Sequence, residues 1–306
     1  MRRSFSDWPT SLIDQAEAIS MSVLAPNREF APAKINLFLH IVGRRTDGYH
    51  LLESLFAFVD FGDELMAEPA DTFCVTVDGP QAFSLAGEGD SLVHRAAATL
   101  FGQALPKLHI RITKNIPVAA GLGGGSADAA AALRLLNRMF GLDLPMDELA
   151  NMAAGIGADV PACLWSQTCL GQGVGERLSP TAMETRPWVL LVKPPEPMPT
   201  PAVFQAYKDN GAAFTGSLAD AGRPLWSLHE ISALGNDLAP PACAINPVLP
   251  PLLKALGQRD NAALVRLSGS GPTCFALYGD RLSAESAKAS ISTAFPQTWS
   301  HVCRLR

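Results

Sequence analysis

The sequence predicts an α+β protein large enough for two domains. Strand-like and helix-like segments are mixed along the chain without the strict β-α-β alternation of a parallel sheet. The chain has 306 residues, 48% of them hydrophobic and only 17% charged, so it builds a substantial core. One glycine-rich stretch, Pro117 to Leu133 (PVAAGLGGGSADAAAAL), runs straight into alanines, which start a helix.

The elements follow in order. Residues 1–27 read as an N-terminal extension, with Met21 a second candidate start. Ile35, Leu37, Leu39 and Ile41 alternate with Asn36, Phe38, His40 and Val42, which predicts a half-buried strand. Gly43 to His50 (GRRTDGYH) is turn chemistry with an Asp-Gly pair. Leu51 to Val59 reads as a second strand, Asp60 to Glu64 as a polar break, and Leu65 and Cys74 to Val77 as further strands. Gly79 to Asp90 is a loop, and Ser91 to Phe101 a helix with Ser91 as its N-cap. Leu108 to Thr113 alternates as a strand.

A helix runs from the glycine loop to about Phe140. Another spans Pro145 to Ala154, capped by Asp147 or the residue before it, and Gly155 and Gly157 end it. Pro161 to Leu170 is apolar and reads as strand or helix, whereas Trp188 to Val192 is a clear strand. Five prolines stiffen Lys193 to Pro201. Beyond them come helices at Phe204 to Tyr207, Pro247 to Leu256, Asn261 to Leu264 and Ala284 to Ala294. Strands flank the Gly-Ser-Gly turn at 269–271, the second over Thr273 to Leu277, and a last strand lies near His301 to Leu305.

Charge and composition narrow the function. Net charge is −5, and no basic stripe interleaves with aromatics, so a nucleic-acid partner is not expected. No apolar run reaches the roughly 18 residues that cross a bilayer, and acidic residues interrupt the N-terminus where a signal core would lie, so no membrane partner is expected either. Six cysteines lack zinc or C-x-x-C spacing and read as reduced thiols in a cytoplasmic protein. Oligomeric state is not readable.

Four glycines within five residues (Gly121, Gly123, Gly124, Gly125) let main-chain N–H groups approach a ligand, and the helix start adds its positive dipole end. The expected ligand is a phosphate. Two common phosphate motifs do not fit. No lysine followed by Ser or Thr closes the loop as in a P-loop, and the loop lies far from the first strand where a dinucleotide fingerprint belongs.

Three blocks occur in a telling order: AKINLFLHIVGRRTDGYHLLESLF (33–56), PVAAGLGGGSADAAAAL (117–133) and LSGSGPTCFALYG (267–279). Together they resemble the superfamily named for galactokinase, homoserine kinase, mevalonate kinase and phosphomevalonate kinase, the GHMP kinases. The first block with its DGYH, and GADVP at 157–161, most resemble the branch whose phosphoryl acceptor is CDP-methylerythritol, in non-mevalonate isoprenoid synthesis. The resemblance implies a two-domain GHMP kinase fold: an ATP-binding α+β domain over 28–182 and a ferredoxin-like α/β sandwich over 183–306. It implies ATP, which brings Mg²⁺, with no acidic residue standing out as a metal ligand.

It also implies roles. Asp159 matches the catalytic base, although the residue alone reads as a helix cap. Lys34 would pair with it and orient the hydroxyl. Lys114, Pro117, Gly121, Gly123, Gly124, Gly125 and Ser126 would hold the nucleotide. Asn36, on the same strand face as Lys34, would contact substrate. Tyr49 and His50 would read a cytosine ring by stacking and hydrogen bonding, with Phe204 as the second slice of the stack and Thr200 in the same wall. Gly269, Ser270 and Gly271 would sit beside the glycine loop. Ser91 stands where the family usually has Asn near the adenine, and Asp128 reads as structural, placed in the first helical turn where negative charge suits the dipole. Another small-alcohol kinase of the superfamily, or a nucleotide-binding regulator without catalysis, are the alternatives; intact Lys34 and Asp159 oppose the second.

Overall fold

The first strand, β1 (Arg28–Arg44), is the axis of the molecule, and it differs from its sequence-based expectation. It is not half-buried: every residue from 31 to 41 is buried, including Lys34, Asn36 and His40. Apolar cores press on it from both sides, so both faces of its alternation are covered. The structure, a computed structural model, describes residues 27–82, 91–218, 222–258 and 261–306. Met21 and most of the extension, loop residues 83–90 and the side chain of Ser91 lie outside the described residues.

Strand β2 (His50–Pro69) runs antiparallel to β1 through 20 residues, so the polar break at 60–64 is not a break. Its polar groups are absorbed by side-chain bonding instead. The Asp60 carboxylate accepts from the amide of Arg304, and Asp63 accepts from the amides of Asn115 and Ile116. The other edge of β2 is shared by β4 (Leu108–Thr113) and β5 (Cys169–Gly173); β3 (Cys74–Asp78) pairs with β4 in parallel, and β6 (Arg177–Pro180) extends β5.

On this sheet lie α1 (Ser91–Phe101) and α2 (Gly124–Met139). The alanines of α2, residues 127 and 129–132, are all buried, and their small side chains let the helix lie close on β1. Helix α3 (Met146–Ala153) starts at Pro145 with no side-chain cap, so Asp147 is a first-turn residue and not the cap. The ambiguous 161–170 segment is both structures in turn: α4 (Val160–Trp165), then β5. Ser166, in the left-handed region at φ 50°, separates them.

The second large sheet has the order β10-β11-β8-β12, all antiparallel: β8 (Trp188–Lys193), β10 (Leu264–Leu267), β11 (Cys274–Tyr278) and β12 (Trp299–Arg304). Helices α5 (Thr200–Asp209), α6 (Leu228–Ser232), α7 (Ala239–Ile245) and α8 (Leu249–Gly257) fall between β8 and β10, and α9 (Arg281–Ala294) between β11 and β12. That is the split β-α-β order of a ferredoxin-like sandwich, as the resemblance implied. A small parallel pair joins β7 (Ala182–Met183) to β9 (Leu225–Trp226).

Two expectations fail here. No helix forms at 261–264, because Asn261 turns the chain at φ 72° and β10 follows at once. Helices α6 and α7 were not anticipated, because both are too short to show a period and α7 also carries two prolines. One apolar cluster joins Ile35 and Leu37 of β1 to Val189, Leu191, Phe275 and Leu277 of the second sheet, so the two sheets share a core across β1.

Asp63 is the polar counterpart of that core. It is fully buried and binds Lys114 (2.6 Å) besides the two amides. Asp63→Ala is expected to lower unfolding stability by about 3 kcal/mol or more, because it leaves the amides of Asn115 and Ile116 without their acceptor and takes one of two carboxylates from the buried Lys114. Denaturant titration showing a loss under about 1 kcal/mol would contradict that assignment.

Candidate active site

Where β1 passes under the glycine loop, the backbone itself makes the junction: the amide of Lys34 donates to the carbonyl of Leu122 at 2.9 Å. Gly123 caps α2 in the left-handed region, φ 68°, and no side chain satisfies the helix start. A Cβ on Gly123 would lie 2.7 Å from Cγ of Lys34, so glycine is needed both for the turn and for the lysine stem beneath it. The unsatisfied first-turn amides of α2 and its dipole face the cavity as an anion site.

The Lys34 ammonium is then steered by three groups. It donates to Oδ1 of Asn36 at 2.9 Å, lies 3.1 Å from Oδ2 of Asp159 and sits 5.1 Å from the ring centroid of Phe56. The Asn36 amide is fixed in turn. Its Nδ2 donates to Ser54 Oγ (2.7 Å), and that hydroxyl donates to the carbonyl of Phe38 (2.6 Å). Asp159 stands at the start of α4, yet its side chain makes no capping hydrogen bond, so the carboxylate remains available to the lysine. The two partners differ in access: the side chain of Lys34 is 8% exposed and that of Asp159 35%.

A second lysine lies on the far side of the loop. Lys114 is buried between Asp63 and Asp128, and binds both. Burial alone would lower the Lys114 pKa, but the two carboxylates outweigh it and raise it. Burial raises the Asp128 pKa above that of an ordinary carboxyl, with the Asp63 charge adding to it and Lys114 pulling against it. Asp128 is therefore more than a dipole partner for α2. It ties the first turn to β2 through Lys114. Asp63 was missed because it reads as part of a polar break between Asp60 and Glu64.

The cavity, about 570 Å³, brings these residues together. Lys34, Asn36, Asp159, Lys114, Pro117, Gly121, Gly123, Gly124, Gly125 and Ser126 all line it, as do Thr200, Phe204, Gly269 and Ser270. The third block adjoins the glycine loop directly. Ser268 Oγ donates to the carbonyl of Gly121 (3.0 Å), the amide of Thr273 donates to the carbonyl of Ala120 (3.2 Å), and Ser270 Oγ lies 2.8 Å from Oγ1 of Thr200. Gly271, at φ 83°, packs against Met198 and Leu267 rather than into the cavity.

Tyr49 and His50 are outside the cavity lining. Tyr49 is 66% exposed at the β1–β2 turn. His50 stacks on Phe204 with ring centroids 5.4 Å apart and a 26° interplanar angle, and it meets Tyr207 edge-on at 5.6 Å. Burial, then Arg44 and Lys208, lowers the His50 pKa, so its ring is neutral near pH 7. Through Phe204 this aromatic group continues the cavity wall.

Among the described residues no group of three or more His, Cys, Asp or Glu could hold a metal, and no helix is long and apolar enough to cross a membrane.

Comparison with known proteins agrees with this geometry. The GHMP kinases N terminal domain matches residues 91–167, and the GHMP kinases C terminal domain matches 212–297. The chain is 43% identical to a 4-diphosphocytidyl-2-C-methyl-D-erythritol kinase of Paramagnetospirillum magneticum over 88% of this chain and 95% of that protein. It is 42% identical to one of Bradyrhizobium diazoefficiens over 92% of this chain and 98% of that protein. A crystal structure of 4-(cytidine 5'-diphospho)-2C-methyl-D-erythritol kinase superposes with a TM-score of 0.71 at 31% identity, over 91% of this chain and 98% of that one. A homoserine kinase from Cytophaga hutchinsonii shares the fold, with a TM-score of 0.64 at 16% identity over 94% of this chain and 97% of that one. With that extent of identity, over about nine-tenths of its length, the chain belongs to the 4-diphosphocytidyl-2-C-methyl-D-erythritol kinase family of the GHMP kinases.

Proposed function

We propose that this protein transfers the γ-phosphoryl group of ATP to the 2-hydroxyl of 4-diphosphocytidyl-2-C-methyl-D-erythritol, releasing ADP. The observation that carries the reading is the Lys34–Asp159 pair, 3.1 Å apart, in the same cavity as the uncapped glycine loop. We read residues 28–182 as the nucleotide-binding domain and 183–306 as its ferredoxin-like partner.

Phosphoryl transfer needs a held triphosphate, an aligned hydroxyl, charge neutralisation and a proton acceptor. The loop amides, Gly121 to Gly125 with Ser126, take the phosphates, and Pro117 shapes the loop's entry. Lys114 acts from beneath, setting the first turn of α2 through Asp128. Asn36, locked by Ser54, presents its amide to the acceptor. Asp159 takes the hydroxyl proton as the O–P bond forms and the bond to the ADP oxygen breaks. The transition state is loose, so the proton leaves late and a carboxylate is a sufficient base. Lys34 holds that carboxylate in line and faces the negative charge of the transferring group. Tyr49, His50, Phe204 and Thr200 form the cytidine end. Mg²⁺ enters on the ATP phosphates. There it would neutralise phosphate charge, while Asp63, Asp128 and Asp159 are each engaged by a lysine.

Three measurements test the reading. Asp159→Asn is expected to lower kcat by about 100-fold or more while ATP affinity, read by calorimetry, stays within about twofold. Unchanged turnover would remove Asp159 as the base. Tyr49→Ala is expected to raise KM for the cytidylyl substrate roughly tenfold, the effect of losing one base stack, with KM for ATP unmoved. Equal weakening of both ligands would contradict the cytidine assignment. ADP release should be seen with CDP-methylerythritol and not with homoserine or mevalonate.

A further inference from the structure

The β1–β2 turn carries two adjacent arginines with different fates. Arg45 is ion-paired to Asp47 at 2.7 Å. Arg44 only donates from Nε to the carbonyl of Gly48 (3.2 Å), and among the described residues no carboxylate pairs with it. Arg44 lies directly opposite His50 in the strand register. Across the stack, Lys208 follows Phe204 by four residues on α5, which puts it on the same helix face. It too has no ion-pair partner among the described residues. Two exposed, unpaired cations thus flank the His50–Phe204 stack where it continues the cavity wall.

We propose that Arg44 and Lys208 form an anion subsite that grips the diphosphate of a pyrimidine nucleoside diphosphate bound at the His50–Phe204 end of the cavity. The inference rests on the reading above, and assigns the charge recognition that Tyr49 and His50 cannot supply. A base offers a ring and a hydrogen-bonding edge, but the two phosphates need positive partners, and Arg45 is already committed to Asp47. The pair has a second effect. The groups around His50 are Arg44 across the strand pair, Tyr49 and the Arg45–Asp47 pair in the turn, and Phe204, Tyr207 and Lys208 on α5. The two unpaired cations reinforce burial in disfavouring a third positive charge at the imidazole. His50 then keeps one nitrogen as an acceptor for the cytosine edge.

The test is calorimetric titration of the full chain with cytidine, CDP and ATP, comparing the wild type with the Arg44→Gln/Lys208→Gln double variant. The wild type should bind CDP more tightly than cytidine, by a margin that shrinks as salt rises. The double variant should lose about tenfold in CDP affinity, with cytidine and ATP unchanged, as expected for two exposed charge contacts. Equal losses for CDP and cytidine, or no loss at all, would overturn the subsite. The pH profile of kcat/KM for CDP-methylerythritol gives an independent readout. Removing the cations raises the His50 pKa, so the acid limb should move to higher pH; an unmoved limb would refute the electrostatic link. If the wild type shows the CDP margin but releases no ADP with CDP-methylerythritol, the kinase reading fails and the subsite stands. Turnover with a margin that the double variant leaves intact does the reverse.

Discussion

A lysine in a strand that is covered on both faces is the constraint around which the site is organised. An unpaired ammonium at that depth costs several kcal/mol, so Lys34 must find acceptors within its own reach. The fold supplies them from three directions: Asn36 two residues along the strand, Asp159 from the start of α4, and the face of Phe56 from β2. Each supplier is itself constrained. Asn36 is oriented by Ser54, Asp159 is released from capping its own helix, and Gly123 has no side chain because the lysine stem occupies that space. The charge that β1 carries therefore dictates the geometry of the loop above it.

The two buried lysines are solved differently, and the difference separates scaffold from chemistry. Lys114 is enclosed by two carboxylates, one of them fully buried, and its triad fixes the first turn of α2 to β2. Lys34 has one carboxylate, and that partner is about a third exposed. A sealed ion triad resists rearrangement because breaking it strands a buried charge. A pair with one open member can exchange that contact for a ligand at little cost. On the proposed function, the carboxylate open to an incoming hydroxyl is therefore that of Asp159, and not Asp63 or Asp128.

Legibility in the sequence followed the range of the interactions. The glycine loop, α1, β3, β4 and β8 were readable because their signals are local: φ preference, alternation or a helical period within about ten residues. Burial of β1 on both faces was not, because it depends on a second sheet formed more than 150 residues later; alternation with polar residues suggested one wet face. The polar break in β2 misled for the same reason, since Asp60 and Asp63 are satisfied by Arg304 and by residues 114–116. At the site, Lys34, Asn36, Asp159 and the glycines were identifiable from their motifs, but the Lys114 triad required the fold. So did the stacking of His50 on Phe204, whose partners are separated by 154 residues.

An acidic chain that binds two polyanions must make its attraction local. With net charge −5, the overall field opposes phosphates, and the cavity counters it with backbone amides, Lys34 and the flanking cations of the β1–β2 turn and α5. Amides and a helix dipole suit the triphosphate because they add positive potential without a mobile side chain that must first shed its own solvent. A diphosphate on a flexible alcohol chain needs the opposite: long side chains that can follow it. Rigid donors at the nucleotide end and flexible cations at the cytidine end give each ligand the kind of partner its own flexibility requires. Swapping the two would leave the transferred group poorly aimed, because in the proposed function the glycine loop is what aligns the terminal phosphate with Asp159.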